Sequence, residues 1–365
     1  MVLDSNKWIT LFAMAFVVFT GLVIAVVFFI DPFLYYRNIS NDKKLMEPRY
    51  ASIGIIKNYK HDMTILGMDS DNSMDMLYIR NYHEKKPIQI GIEDSNINDV
   101  LILYTMSQEN SKADFYFINV KPEEFIENIK INLTSQKFPG YLYNKKKLDD
   151  IKYLLNYEIC FRYIPLNTVI DTAFKLNRNL PVAMKDGTEI DKVVSWKKDA
   201  WPVTGLAKGL YKDFQLSGFE ITEKKSKKES DSKLTNEEID NRIDSYLNII
   251  FKQIKPGQTI VFGFMPYSVE YWLNVQDTNF EAIMYAKEYF IKGCKSRDNV
   301  KIVDLQWLPE ISSLNNYTSE QNLDQDMIRL YTDAIFDETI YETSKSYNRN
   351  RKSLQMQIEM YEDKQ

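Results

Sequence analysis

The sequence predicts an α/β protein, a three-layer α/β/α sandwich around a mainly parallel sheet, preceded by one transmembrane helix. Three observations carry this expectation. A single uncharged apolar run extends from Ile9 to Ile30. Beyond it, short apolar runs of strand length alternate with helical stripes, a pattern that implies parallel strands with helices on both faces. The composition is 44% hydrophobic and 13% aromatic, with 24 Tyr and 20 Phe. That is enough apolar surface for a substantial core, and it excludes wholesale disorder.

The first element is the apolar run. At 1.5 Å per residue its roughly 22 residues extend about 33 Å, enough to cross a hydrocarbon core of about 30 Å. It is long for the core of a cleavable leader, and it closes on Val26-Val-Phe-Phe-Ile-Asp-Pro32 without an Ala-x-Ala site. No cysteine lies near it, which excludes a lipoprotein anchor. Lys7 precedes the run and Arg37, Lys43 and Lys44 follow it, so the positive-inside count leaves the topology open.

The alternating elements follow in order. Met63 to Gly67 is a strand that ends in glycine, and Ser70 to Ile79 carry a helix start. Pro87 to Ile92 is a second strand. Asp94-Ser-Asn96 supplies N-cap chemistry for a helix through Ile97, Val100, Leu101, Leu103 and Tyr104. Ala113 to Val120 is a third strand. Thr235 and Glu238 have capping-box spacing ahead of the stripe Ile239, Ile243, Tyr246, Leu247, Ile250, Phe251 and Ile254. A strand from Thr259 to Met265, a helix from about Phe280 to Lys292 and a strand from Val300 to Leu305 complete the pattern.

The expected organisation is a short segment 1–8, an anchor 9–30, an α/β domain 31–345 with an irregular insertion at about 140–235, and a polar tail 346–365. Within the insertion, Glu223-Lys-Lys-Ser-Lys-Lys-Glu-Ser-Asp-Ser-Lys-Leu234 is a solvated loop by composition. The tail, with Leu354, Met356, Ile358 and Met360 behind Arg349-Asn-Arg-Lys352, has the makings of a frayed amphipathic helix.

Charge and rare residues narrow the function. With 46 Lys+Arg against 51 Asp+Glu the net charge is −5, which argues against nucleic acid as a partner held by bulk charge. Cys160 and Cys294 allow at most one disulfide and lack the spacing of a zinc or redox motif. Only two histidines occur, His61 and His83. No metal site and no cofactor motif is found.

In a parallel α/β sheet, functional groups gather beyond the carboxyl ends of the strands. The turn after the first strand is the richest, reading Thr64-Ile-Leu-Gly-Met-Asp-Ser-Asp-Asn-Ser-Met-Asp75. A strand opening into a helix exposes a side chain beside backbone amides that stabilise an oxyanion. The same residues also serve as simple helix caps.

The string Asp62-Met-Thr-Ile-Leu-Gly-Met-Asp-Ser70 resembles the first block of the SGNH (GDSL-like) hydrolases, particularly the single-span, surface-polysaccharide-associated proteins of Gram-positive bacteria. Further similarities follow in order. They are Asp31-Pro-Phe after the span, Phe138-Pro-Gly-Tyr-Leu-Tyr143, Leu148 to Asn156, Phe264-Met-Pro-Tyr-Ser-Val-Glu-Tyr-Trp272, and Asn299 to Trp307 with Leu314-Asn-Asn-Tyr317. The resemblance covers about residues 31–335. It implies an SGNH-like fold, placement of the domain outside the cytoplasmic membrane, and work beside membrane acyltransferases or polysaccharide-assembly proteins.

Carried over residue by residue, the family's nucleophilic serine falls at Asp69, with Ser70 one place late. The closing aspartate and histidine fall at Ser319 and Asn322. Gly91 and Asn119 are the counterparts of the oxyanion-hole glycine and asparagine. A serine ester mechanism needs a base worth roughly 10²- to 10⁴-fold, and an amide such as that of Asn322 neither takes up nor returns a proton near neutral pH. The resemblance thus implies a degenerate triad and a binding or scaffolding role in surface-polysaccharide or teichoic-acid modification. Tyr267, Tyr271 and Trp272 are then candidates to face a surface glycan, or else core and wall residues.

Two other readings stay open: an esterase or O-acyltransferase using Ser70 with an unrecognised base, and a structural platform for a membrane complex. Asp69-x-Asp71 also resembles the nucleophile loop of haloacid-dehalogenase-type phosphotransferases, but the later segments argue against that fold. An EF-hand fails because Met74 and Arg80 stand where glycine and glutamate are required.

Overall fold

The computed structural model describes residues 5–36, 48–68, 74–92, 95–134, 138–144, 147–165 and 234–362. In chain order its main elements are α1 (Ser5–Ile30), α2 (Pro48–Asn58), β1 (Met63–Leu66), α3 (Met76–His83), β2 (Pro87–Ile90), α4 (Ile97–Asn110), β3 (Phe115–Asn119), the single turn α5 (Ile151–Leu154), α6 (Asn236–Phe251), β4 (Thr259–Phe264), α7 (Val269–Gln276), α8 (Phe280–Cys294), β5 (Val300–Asp304), α9 (Gln325–Phe336) and α10 (Ser344–Glu362). The chain divides into two compact units. Among the described residues one holds 5–59 and 138–165, and the other holds 60–134 and 234–362.

The second unit is built on a five-stranded, all-parallel sheet in the order β2-β1-β3-β4-β5. Its strands are almost wholly buried, which is why they appear in the sequence as continuous apolar runs rather than alternating ones. The caps are those the sequence offers. Asn96 accepts from the Asn98 and Asp99 amides and forms a capping box with Asp99, and Thr235 does the same with Glu238 at the start of α6. The buried face of α6 is Ile239, Ile243, Tyr246, Leu247 and Ile250. α3 begins at Met76 with Asp75 as its N-cap; Ser70, the expected helix start, lies outside the described residues.

The C-terminal tail joins this core. α10 buries Tyr347, Leu354 and Ile358 and turns Met356 and Met360 outward, each more than half exposed. Beneath it, Lys287 of α8 meets Asp304 at 2.7 Å and donates to Gln306 Oε1 at 2.7 Å. The Gln306 amide nitrogens close the network, the backbone N–H on Asp304 and the side-chain nitrogen on the Met265 carbonyl.

In the first unit, Asn6–Ile30 of α1 is long and apolar enough to cross a membrane. The helix ends where Asp31, at φ 42°, folds its buried carboxylate back to accept from the Tyr35 and Tyr36 amides and the Tyr153 hydroxyl. Gly54 of α2 lies under the Phe33 and Leu34 carbonyls, where a Cβ would sit 2.5 Å from Leu34 O.

Candidate functional site

The sheet order reverses between β1 and β3. In an open parallel sheet this switch point, beyond the carboxyl ends of the strands, is where a crevice forms. Leu66, Ile90 and Ile118 are in register across β1, β2 and β3. Gly67, Gly91 and Asn119 therefore follow side by side on three adjacent strands, about 5 Å apart from strand to strand. Of the two candidate oxyanion positions, Asn119 meets Gly67 directly, and Gly91 follows β2 on the far side of β1.

Asn119 is held at both ends of its amide. Its Nδ2 donates to the Gly67 carbonyl at 3.1 Å and its Oδ1 accepts from the buried Tyr331 hydroxyl at 3.1 Å. Gly67 has φ +75°, and a Cβ there would lie 2.2 Å from the Asn119 carbonyl oxygen. Only glycine combines that left-handed backbone with that close an approach.

A small recess opens beside these residues, lined among others by Gly67, Ser95, Ile97, Asn119, Lys121 and Glu124. Glu124 belongs to the 3-10 turn Pro122–Phe125 that follows β3. Its carboxylate accepts from the backbone N–H of Ile97, the first residue of α4. Burial pushes Glu124 up to about 8, against the opposing effects of Lys121 and the Ile97 amide. Its neighbour Glu123 is also raised by burial and accepts from the Tyr267 hydroxyl at 2.7 Å. A carboxyl that keeps its proton near neutral pH acts as a hydrogen-bond donor as well as an acceptor. The recess, with room for about one water molecule, is lined by Glu124 and Ser95, while the Asn119 side-chain amide is engaged by Gly67 and Tyr331.

The closing block lies at the same end of the sheet. Thr318 to Asn322 form a turn closed by the Thr318 amide on the Asn322 carbonyl at 2.7 Å, and the Asn322 amide donates back to the Ser319 carbonyl at 3.3 Å. Tyr317 and Leu323 bridge its base. The turn seats on the segment after β4, where the Ser268 amide donates to the Glu320 carbonyl at 2.9 Å and Asn274 Nδ2 donates to Glu320 Oε1 at 3.0 Å. Asp324 then caps α9, and α9 carries Tyr331 to Asn119. Asp69 and Ser70 lie outside the described residues.

Tyr267, Tyr271 and Trp272 are 2%, 8% and 0% exposed. Their rings pack on one another at 4.5 to 6.0 Å, with Phe280 against Trp272 at 5.9 Å. They are walls of the core, and the Tyr267 hydroxyl reaches Glu123.

Both histidines are at the opposite end of the strands. His61 is buried just ahead of β1. His83 ends α3, with Nε2 3.0 Å from Asp333 and its ring stacked on Phe336 at 4.0 Å. A four-residue strand spans about 13 Å, so neither imidazole reaches the Gly67–Asn119 end. Both cysteines are free thiols, and burial raises Cys294 far above the ordinary thiol range. Among the described residues, no group of three His, Cys, Asp or Glu side chains is placed to hold a metal ion.

Glu123, Glu124 and Tyr331 were not singled out by sequence reasoning. The signal for the carboxylates is Lys121-Pro-Glu-Glu124 directly after a strand, a proline-initiated turn with two acids at a carboxyl end. No family model matches the chain, and no curated protein matches it.

Proposed function

We propose that this chain is a membrane-anchored, extracytoplasmic protein with an SGNH-like α/β/α domain whose ester-transfer triad is degenerate. It binds or scaffolds in the modification or assembly of a surface polysaccharide or teichoic acid. The observation that carries the reading is the contrast between the two ends of the strands. Gly67 and Asn119 meet at the switch point and Gly91 follows the neighbouring edge strand, positions consistent with an SGNH oxyanion frame. The two histidines lie at the opposite end of the strands, with asparagine at the family's histidine position. The recess beside Asn119 is lined by Glu124 and Ser95, side chains that hydrogen-bond oxygen groups.

The three-layer arrangement is supported by burial of successive strand residues, which point to opposite faces. The anchor is supported by the ladder of exposed large side chains on α1, among them Trp8, Phe12, Phe16 and Phe19, each at least 60% exposed. Water does not tolerate a patch of that size. The membrane acyltransferase or assembly-protein partners rest on the family resemblance.

The test is trapping of the full chain with a serine-reactive phosphonate, paired with binding of surface polysaccharide to the chain in lipid nanodiscs. Saturable polysaccharide binding without phosphonate labelling is the expected result. Specific labelling that disappears in Ser70→Ala makes the protein an active esterase or acyltransferase instead. Absence of both, with partner proteins recovered only when α1 is intact, leaves the structural-platform reading.

A further inference from the structure

We propose that residues 147–165 form a second membrane element, an interfacial segment that lies in the headgroup region beside the exit of α1. This inference rests on the reading of α1 as a membrane span.

The segment has two apolar faces. Its inner face is pinned to the end of α1: α5 and the π-helical turn Ile159–Tyr163 both pack against the helix. Tyr153, fully buried, donates to Asp31 at 2.9 Å and accepts from the Phe33 amide at 3.2 Å. The Tyr35 hydroxyl donates to Asp150 at 2.9 Å, and the Tyr163 ring meets Phe33 at 4.9 Å. Ile159 is fully buried as well.

The outer face is also apolar, and it is open. Leu148, Ile151 and Leu155 recur at i, i+3 and i+7 and are 89%, 53% and 45% exposed. Tyr157 and Phe161 follow at i and i+4, 75% and 62% exposed, with their rings 5.1 Å apart. A helical segment facing water on one side carries polar residues there; here the exposed Lys152, Glu158 and Arg162 are interleaved with large apolar side chains spread over a 3-10 turn, α5 and the following turns. Lys152 and Arg162 are exposed, with long stems suited to snorkelling, and pair with Asp149 at 2.9 Å and Glu158 at 3.9 Å. Three successive lysines, 145–147, lead into the segment in the sequence.

The depth follows from α1. Its uncharged apolar run, Ile9 to Ile30, extends about 33 Å against a hydrocarbon core of about 30 Å, so its end lies at the lipid–water boundary. Val27, one turn before the exit, is already buried, and the segment packs around Asp31–Tyr36 just beyond it. An amphipathic stretch at that level, with aromatic residues and basic flanks, has the chemistry of a bilayer interface.

The test uses the full chain reconstituted in vesicles of phosphatidylcholine and phosphatidylglycerol. Cys160→Ser removes the thiol within the segment, and buried Cys294 stays in place. Single nitroxide labels are set at Leu148→Cys, Leu155→Cys and Phe161→Cys, with Val18→Cys in α1 and Tyr82→Cys, 71% exposed, as lipid and water references. Collision with a charged nickel chelate should be roughly tenfold lower at the three positions than at Tyr82→Cys, with oxygen collision high, because charge is excluded from the acyl region. Nickel access equal to that at Tyr82→Cys, with Val18→Cys lipid-like, overturns the interfacial segment and leaves the anchor standing. Low collision with both reagents means a protein covers the face and likewise overturns it. Water-like behaviour at Val18→Cys removes the anchor reading itself.

Discussion

The side-chain amide of Asn119 donates to the Gly67 carbonyl, while the Asn119 carbonyl oxygen stands 2.2 Å from the place a Gly67 Cβ would occupy. The ends of β1 and β3 are thus locked by one hydrogen bond and one close backbone approach, at the point where the sheet order reverses. Gly67→Ala must adopt a left-handed backbone, costing about 1–2 kcal/mol, and must also push the two strands apart. The expected loss is about 2–4 kcal/mol in urea unfolding of the full chain. A change below about 0.5 kcal/mol would mean the turn re-forms without the Asn119 lock.

Tyr331 is the other half of that lock. Its hydroxyl is buried and donates to Asn119 Oδ1, so Tyr331→Phe leaves a buried acceptor unsatisfied, at a cost of about 1–3 kcal/mol. Tyr78 also donates to a carboxylate, Asp333, but at the surface, and Tyr78→Phe should cost far less. Thermal unfolding of the two variants side by side reads the difference. Equal melting temperatures would show that Asn119 finds another donor.

Much of this frame was legible in the sequence, for physical reasons. Strands buried on both faces are continuous apolar runs, so β1 to β5 announce themselves, and Asn96 and Thr235 announce their helices because capping is a local interaction. The row Gly91, Gly67, Asn119 was visible as single residues after single strands, whereas their adjacency depends on register, a tertiary property. Glu124 escaped because its partner, Ile97, is 27 residues away. In α10 the apolar residues 354, 356, 358 and 360 alternate, so the pattern could not say which pair faces inward; packing selects Leu354 and Ile358. The α9 stripe Met327, Ile328, Tyr331, Ala334 and Ile335 has helical spacing, yet nothing local points it at Asn119.

Lys287 and Asp304 are 2% and 3% exposed in their side chains. Lys287→Met leaves the Asp304 carboxylate buried without its countercharge, at an expected cost of about 3–5 kcal/mol. Asp304→Leu strands the ammonium in the same way. The double variant should lose less than the two single losses added together, because neither charge is then left alone. A double-mutant cycle from urea midpoints measures this. Strict additivity would mean Gln306 and the Phe264 ring, 5.1 Å from the ammonium, hold Lys287 without the aspartate.

Glu124 gives the fold a pH dependence of definite sign. Burial raises its folded pKa from the ordinary 4.5 to about 8, so the fold prefers the protonated carboxyl. The associated stability is fully present below the unfolded value near 4.5 and is lost as pH rises through about 8. Between pH 5 and 9 the wild-type chain should lose on the order of 1–3 kcal/mol from this group. Glu123 is raised in the same direction, also by burial. Glu124→Gln keeps a carbonyl oxygen for the Ile97 N–H and cannot ionise, so its urea midpoint should fall less over the same range. The variant should overtake the wild type above about pH 8. Parallel curves for the two proteins would place the pH dependence elsewhere, with Glu123→Gln as the next variant to read.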